Sequence, residues 1–158
     1  GQLDLLVNNA GIGRFGSVET LSGETFREVV ETNLNACFYA IRAAAPVMIA
    51  RGSGWIVNIA SLQGRHPSPG GAAYNASKFG LVGLSEAAML DLRPHGVRVA
   101  AILPGSIATG FGAGRGGDDS WRLAPEDVAR AVVDLLAYPE RALPSLVELR
   151  PTRPPARR

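Results

Sequence analysis

Apolar residues recur along the chain with two periods, and the switches between them mark out the elements. Residues 3–7 are a short apolar run that ends in Asn8-Asn9-Ala10-Gly11, the pattern of a buried strand feeding a turn. Phe26, Val29, Val30, Asn33, Cys37, Phe38, Ile41 and Met48 then follow at helical spacing. Ser22 is placed to cap that helix, and Pro46 is expected to kink or loosen its last turns. Gly52-Ser53-Gly54 breaks the pattern, and residues 55–60, β-branched at Ile56, Val57 and Ile59, predict a second strand. After a loop rich in glycine and proline, a helix carrying Tyr74 is expected to run to about Leu92, stopped by Arg93-Pro94-His95-Gly96. Residues 97–103 predict a third strand, closed by Pro104-Gly105. Residues 110–120 hold five glycines and read as either a mobile lid or a long surface loop. Pro125, followed by Glu126 and Asp127, opens a helix through Val128, Val132 and Leu136, and residues 146–149 predict a last short strand.

Strands alternating with helices of this length imply an α/β fold with a mostly parallel sheet. In such sheets ligands bind beyond the carboxyl ends of the strands. Chemistry is therefore to be sought in residues 8–16, 61–71 and 104–109.

Composition narrows the classes. The 158 residues are enough for one domain with a real core, 46% hydrophobic and 19% charged. Net charge is only +2, and much of the basic excess lies in Arg150, Arg153, Arg157 and Arg158. Residues 151–158 form a short prolyl tail without aromatics, expected to be disordered or loosely docked rather than a nucleic-acid arm, so the domain proper is taken as residues 1–150. Cys37 is alone, which excludes a disulfide framework and a thiolate metal site, and no metal is expected. No apolar run approaches the roughly 20 residues that cross a bilayer. With no signal-peptide pattern visible, the expectation is a cytoplasmic protein without a membrane partner.

The densest candidate chemistry is Tyr74 and Lys78, four residues apart on one helical face. Lys78 is the only lysine, although Lys and Arg together number 16. Arginine cannot readily replace a compact ammonium in a tuned site. A cation beside a phenol is expected to lower the pKa of Tyr74, fitting it to exchange a proton with a substrate oxygen. Ser61 follows the second strand directly, thirteen residues before Tyr74. His66 is nearby, but the surroundings are not those of a nucleophile elbow. A serine hydroxyl that hydrogen-bonds a substrate oxygen suits the position better than a hydrolytic nucleophile. Asn33 lies on the polar edge of an apolar helix, where it either bonds nearby backbone or holds a water or a lysine in a proton path. Gly11-Ile12-Gly13-Arg14-Phe15-Gly16 is a literal G-x-G-x-x-G. However, no helix opens at once on it and no acidic strand end follows, so a turn that needs flexible backbone explains these glycines better.

Taken in order, Asn8-Asn9-Ala10-Gly11, Asn33, the strand ending at Ser61, Tyr74-x-x-x-Lys78 and Pro104-Gly105-x-Ile107-x-Thr109 resemble the short-chain dehydrogenase/reductase family over essentially the whole chain. The resemblance implies a Rossmann-like, doubly wound parallel sheet in three αβα layers, and NAD or NADP as cofactor. It implies Tyr74 as general acid/base toward a carbonyl or carbinol oxygen, Lys78 lowering its pKa and hydrogen-bonding the nicotinamide ribose, and Ser61 polarising the substrate oxygen. Asn33 would anchor a water linking Lys78 to solvent. Asn9, Ala10 and Gly11 would border the adenosine side, and Pro104, Gly105, Ile107 and Thr109 the nicotinamide. A small carbonyl or alcohol substrate, and pairing of the helices near 24–50 and 73–92 into a homodimer or homotetramer, are further implications. Small residues such as Ala43, Ala44, Ala87 and Ala88 would allow that pairing, or lie against the sheet.

The family opens with a glycine-rich T-G-x-x-x-G-x-G turn that does not occur here. The chain is therefore expected to be the carboxyl-terminal part of a longer enzyme, with the amino-terminal half of the fold missing, the first strand's outer edge unpaired and cofactor binding by these residues alone weak. A non-catalytic dinucleotide-binding or scaffold relative, or an inactive fragment, stays open as the alternative.

Overall fold

Four parallel strands form a single sheet in the order β1 (Leu5–Asn8), β2 (Gly54–Ile59), β3 (Val97–Pro104), β4 (Leu146–Leu149). The computed structural model describes residues 2–109, 111 and 119–154; most of the glycine-rich 110–120 segment and residues 155–158 of the tail lie outside the described residues. The registers are regular, with Leu6 opposite Ile56 and Ile56 opposite Val99. β1 forms one edge of this sheet and β4 the other.

The helices are α1 (Gly23–Val30), α2 (Ala36–Arg51), α3 (Ala72–Leu92) and α4 (Pro125–Leu136). Ser22 caps α1 as expected, its Oγ accepting the Thr25 N–H at 3.1 Å. The helical segment is disturbed at Asn33 instead of Pro46. Residues Glu31–Asn35 form a π turn, in which the Ala36 N–H reaches back to the Glu31 carbonyl. Pro46 sits inside α2, which continues to Arg51 and ends on Gly52 at φ 69°. The ring removes one donor, but Arg42 and Pro46 both lie on the exposed side, where water can serve the Arg42 carbonyl.

Alternation along β2 and β3 sends side chains to two packed faces. Ile56, Val97 and Val99 meet Ile41, Ala44, Met48, Ala88 and Leu92 of α2 and α3, and Ala101 and Leu103 meet Leu81 and Val82. Ala44 and Ala88 thus lie in the core, while Ala43 and Ala87 are exposed. On the opposite face Trp55, Val57, Ala100 and Ile102 pack against Val128 and Leu135 of α4. The result is the expected three-layer αβα arrangement. Since β4 continues the same strand order but α4 crosses on the other face, this crossover has the opposite hand to the two before it. Far from the carboxyl edge, Gly96 (φ 76°) passes so close to Gly52 that a Cβ would fall 2.1 Å from the Gly52 carbonyl oxygen.

Candidate active site

The loops leaving β1, β2 and β3 converge with the first turns of α3 at the carboxyl edge of the sheet. The Gly16 N–H donates to the Gly70 carbonyl at 2.7 Å, tying the loop after β1 to the start of α3. Beyond β3, the Gly105 N–H donates to the Leu149 carbonyl at 2.8 Å, and Ile107 forms a bridge with Leu123. Pro151 and Leu62 close over Gly105, where a Cβ would come within 3.0 and 3.1 Å of them, so the start of the tail is packed. Pro104 is buried and Thr109 exposed, its Oγ1 accepting the Phe111 N–H at 3.3 Å. Asn9 and Ala10 are exposed beside the better-buried Gly11.

One turn apart on α3, Tyr74 and Lys78 are both buried, at 8% and 4% exposure. Lys78 Nζ lies 5.7 Å from the centre of the Tyr74 ring and donates to the Ile59 carbonyl at 2.9 Å. Ser61, at the end of β2, stands close enough to the Tyr74 hydroxyl to influence its titration, and its Oγ accepts the Gln63 N–H at 3.1 Å. Electrostatics here departs from the sequence expectation. Burial pushes the Tyr74 phenol above its ordinary value, and the nearby Ser61 hydroxyl offsets this only in part. The cost of burial falls on the lysine too, whose pKa drops to about 8. Neither change follows from spacing, because spacing carries no information on how dry the pair is.

Asn33 is fully buried, not on a polar edge. Its Oδ1 accepts the Ile12 N–H at 2.8 Å, and its Nδ2 donates to the Ile12 carbonyl at 2.9 Å and to Ser77 Oγ at 3.1 Å. Ser77 in turn donates to the Tyr74 carbonyl at 2.8 Å. Asn33 therefore fastens the loop after β1 to the helix that bears the tyrosine. A Cβ on Gly11 would stand 3.3 Å from Asn33 Oδ1 and 3.7 Å from Lys78 Nζ. Close approach, not a left-handed backbone, is why glycine stands there: among the described residues only Gly52, Gly70 and Gly96 have positive φ. Cys37 donates to the Asn33 carbonyl at 3.5 Å, and burial raises its pKa, leaving a protonated thiol.

Gly11, Asn33, Ser61, Tyr74 and Lys78 thus form one cluster, with the 104–109 segment beyond β3 at the same edge of the sheet. His66 lies 4.0 Å from Glu148 on β4. Sequence reading missed Ser77, hidden between the two motif residues, and Phe15 and Phe111, whose ring centres lie 5.6 and 5.7 Å from that of Tyr74. Among the described residues no group of three or more His, Cys, Asp or Glu is placed to hold a metal ion, and no helix is long and apolar enough to cross a membrane.

Comparison with known proteins converges on one group. The family described as short chain dehydrogenase matches residues 1–119. The chain is 43% identical over 114 residues to trans-4-hydroxycyclohexanecarboxylate dehydrogenase of Sinomonas cyclohexanicum, covering 72% of this chain and 44% of that protein. It is 36% identical over 154 residues to sepiapterin reductase of Chlorobaculum tepidum, covering 96% of this chain and 63% of that one. Among solved structures, an alcohol dehydrogenase of the archaeon Thermococcus sibiricus, complexed with 5-hydroxy-NADP, superposes with a TM-score of 0.87 at 29% identity, over 99% of this chain and 67% of that one. The chain spans less than two thirds of the length of these curated relatives. The parallel sheet, the clustered motif residues and these likenesses together establish that the chain belongs to the short-chain dehydrogenase family.

Proposed function

We propose that the protein is an NAD- or NADP-dependent oxidoreductase that interconverts a carbonyl and an alcohol, with Tyr74 as the proton-transferring group. The observation that carries this reading is the buried Tyr74, with Ser61 near its hydroxyl, one helical turn from the buried and only lysine of the chain.

In reduction, the Tyr74 hydroxyl donates its proton to the substrate oxygen while Ser61 Oγ holds that oxygen by a second hydrogen bond. The Lys78 ammonium, 5.7 Å from the ring, stabilises the phenolate left behind. Lys78 uses one of its donors on Ile59, so others are free for a ribose hydroxyl or a water. Asn33 and Ser77 hold the loop after β1 and the Tyr74 backbone in place. The cradle at Gly11, which a Cβ would fill against Lys78, suits close approach of a dinucleotide. Asn9, Ala10 and Gly11 would border its adenosine side, Lys78 its ribose, and Pro104, Gly105, Ile107 and Thr109 its nicotinamide. Hydride exchange with the substrate carbon is the chemistry that nicotinamide supplies when bound. A water anchored near Asn33 would refill the proton through Lys78.

Tyr74→Phe tests this reading in the protein expressed from the full reading frame that encodes this chain. Turnover of a ketone and alcohol panel should fall about 10²–10⁴-fold, followed by nicotinamide absorbance, with the fold intact. Equal turnover would overturn the assignment.

Pairing of two copies through α2 and α3 is part of the same proposal. Phe38, Tyr39, Val47, Phe79 and Leu90 are exposed on these helices and support it. A monomeric mass by light scattering would count against it.

A further inference from the structure

Two rings that belong to no motif stand against the Tyr74 ring. Phe15, from the loop after β1, lies 5.6 Å from the Tyr74 ring at 47°, and Phe111, from the segment after β3, lies 5.7 Å from it at 57°. Tyr74 is covered, but the two phenylalanines keep 51% and 47% of their surface exposed. Gly13 lies beneath both: a Cβ there would fall 2.7 Å from Phe111 Cε1 and 2.9 Å from Phe15 Cε2. Two segments far apart in sequence therefore bring their rings together over one glycine, against the Tyr74 ring.

Among the described residues, the charged side chains Arg14, Arg65 and Asp119 on the neighbouring segments have partners of their own. Arg14 lies 3.6 Å from Glu28, Arg65 3.3 Å from Glu148, and Asp119 3.0 Å from Arg122. Among the described residues, the surface that Phe15 and Phe111 themselves offer next to Tyr74 is apolar. An apolar ring of a substrate laid there gains by leaving water, and tilted aromatic walls favour offset and edge contacts. A charged or hydroxylated substituent in the same place loses hydration without a partner to replace it.

We infer that Phe15 and Phe111 are the walls of the substrate pocket and select ketones and secondary alcohols whose carbon skeleton is an apolar ring over small polar acyclic ones. The inference rests on the oxidoreductase reading of Tyr74. The two are separable by experiment.

The test uses the protein from the full reading frame, with cyclohexanol and 2,3-butanediol as substrates and cyclohexanone as binding probe. The parent should prefer cyclohexanol in kcat/KM. Phe15→Ala and Phe111→Ala should each lower the cyclohexanol to butanediol ratio roughly tenfold, and Phe111→Leu, which keeps apolar bulk, should lower it less. Thermal melts report whether each variant is folded; both rings are half exposed, so truncation leaves the core intact. Saturation-transfer NMR, irradiating protein aromatic protons, should give cyclohexanone signals in the parent and in Tyr74→Phe and attenuated signals in both alanine variants. If Tyr74→Phe stays active, the oxidoreductase reading falls while the NMR comparison still decides the pocket. An unchanged ratio, or cyclohexanone signals as strong in the alanine variants as in the parent, would overturn the inference and leave the oxidoreductase reading standing.

Discussion

The two faces of the sheet are built to opposite rules. Against α4 the packing is apolar: Trp55, Val57, Ala100 and Ile102 meet Val128 and Leu135. Against the helices of the other face, every buried polar residue among those described is found: Asn33, Asn58, Ser77, Lys78 and Ser85. Asn8 Nδ2 donates to Asn58 Oδ1 at 2.7 Å, Asn58 Nδ2 to Ser85 Oγ at 2.8 Å, and Ser85 Oγ to the Leu81 carbonyl at 2.6 Å. The Asn33–Ser77 pair repeats the device nearer the carboxyl edge. The apolar face can use nearly all its burial for stability, whereas the polar face gives up part of its own to hold a tyrosine and a lysine dry.

Substitutions on the two faces should therefore separate stability from chemistry. Ile102→Ala, fully buried on the apolar face, should cost about 2–5 kcal/mol in urea unfolding, with turnover per folded molecule unchanged. A loss of turnover in proportion to stability would break the contrast.

Lys78→Met should reveal the cost of the buried cation. Below pH 8 both folded and unfolded states hold the proton, and the folded state bears the whole desolvation cost. Between about 8 and the ordinary lysine value of 10.5, the unfolded state binds more protons, so stability rises with pH. The parent should gain on the order of 2–3 kcal/mol over the variant from pH 8 to 10, read from urea titrations at each pH. Parallel curves for the two proteins would show that Lys78 is not dry.

Asn33→Ala leaves the Ile12 N–H and carbonyl without their partner and should cost about 2 kcal/mol, with turnover falling further than unfolding explains. Ser85→Ala, remote from Tyr74, should cost only about 1 kcal/mol and leave kcat alone.

What the sequence revealed follows the range of each interaction. Tyr74 and Lys78 could be placed together because one helical period defines their relation, Ser61 could be placed at a strand end, and the family resemblance joined the three. The span of α3 and the strand Leu146–Leu149 were legible for the same local reason. The burial of Asn33 and the identity of its partners were not legible because Ile12 and Ser77 are 21 and 44 residues away. Pro46 was overrated as a breaker: its cost depends on which side of the helix faces water, and that is a tertiary fact. The direction of the Tyr74 shift was missed because the neighbouring charge is visible in a spacing but desolvation is not. Phe15 and Phe111 went unremarked because only the fold brings both against the Tyr74 ring.

Among the described residues α4 is the one helix on its side of the sheet, reached by a crossover of reversed hand, and β4 is only half-buried along its length. That unit can open while β1, β2 and β3 stay closed under α2 and α3, so deuterium should enter the amides of α4 and β4 before those of α3 and β3. Each such opening also releases the Gly105 N–H from Leu149. Breathing at the outer strand would then set the pace at which residues 104–109 loosen and the cleft lets go of what it holds.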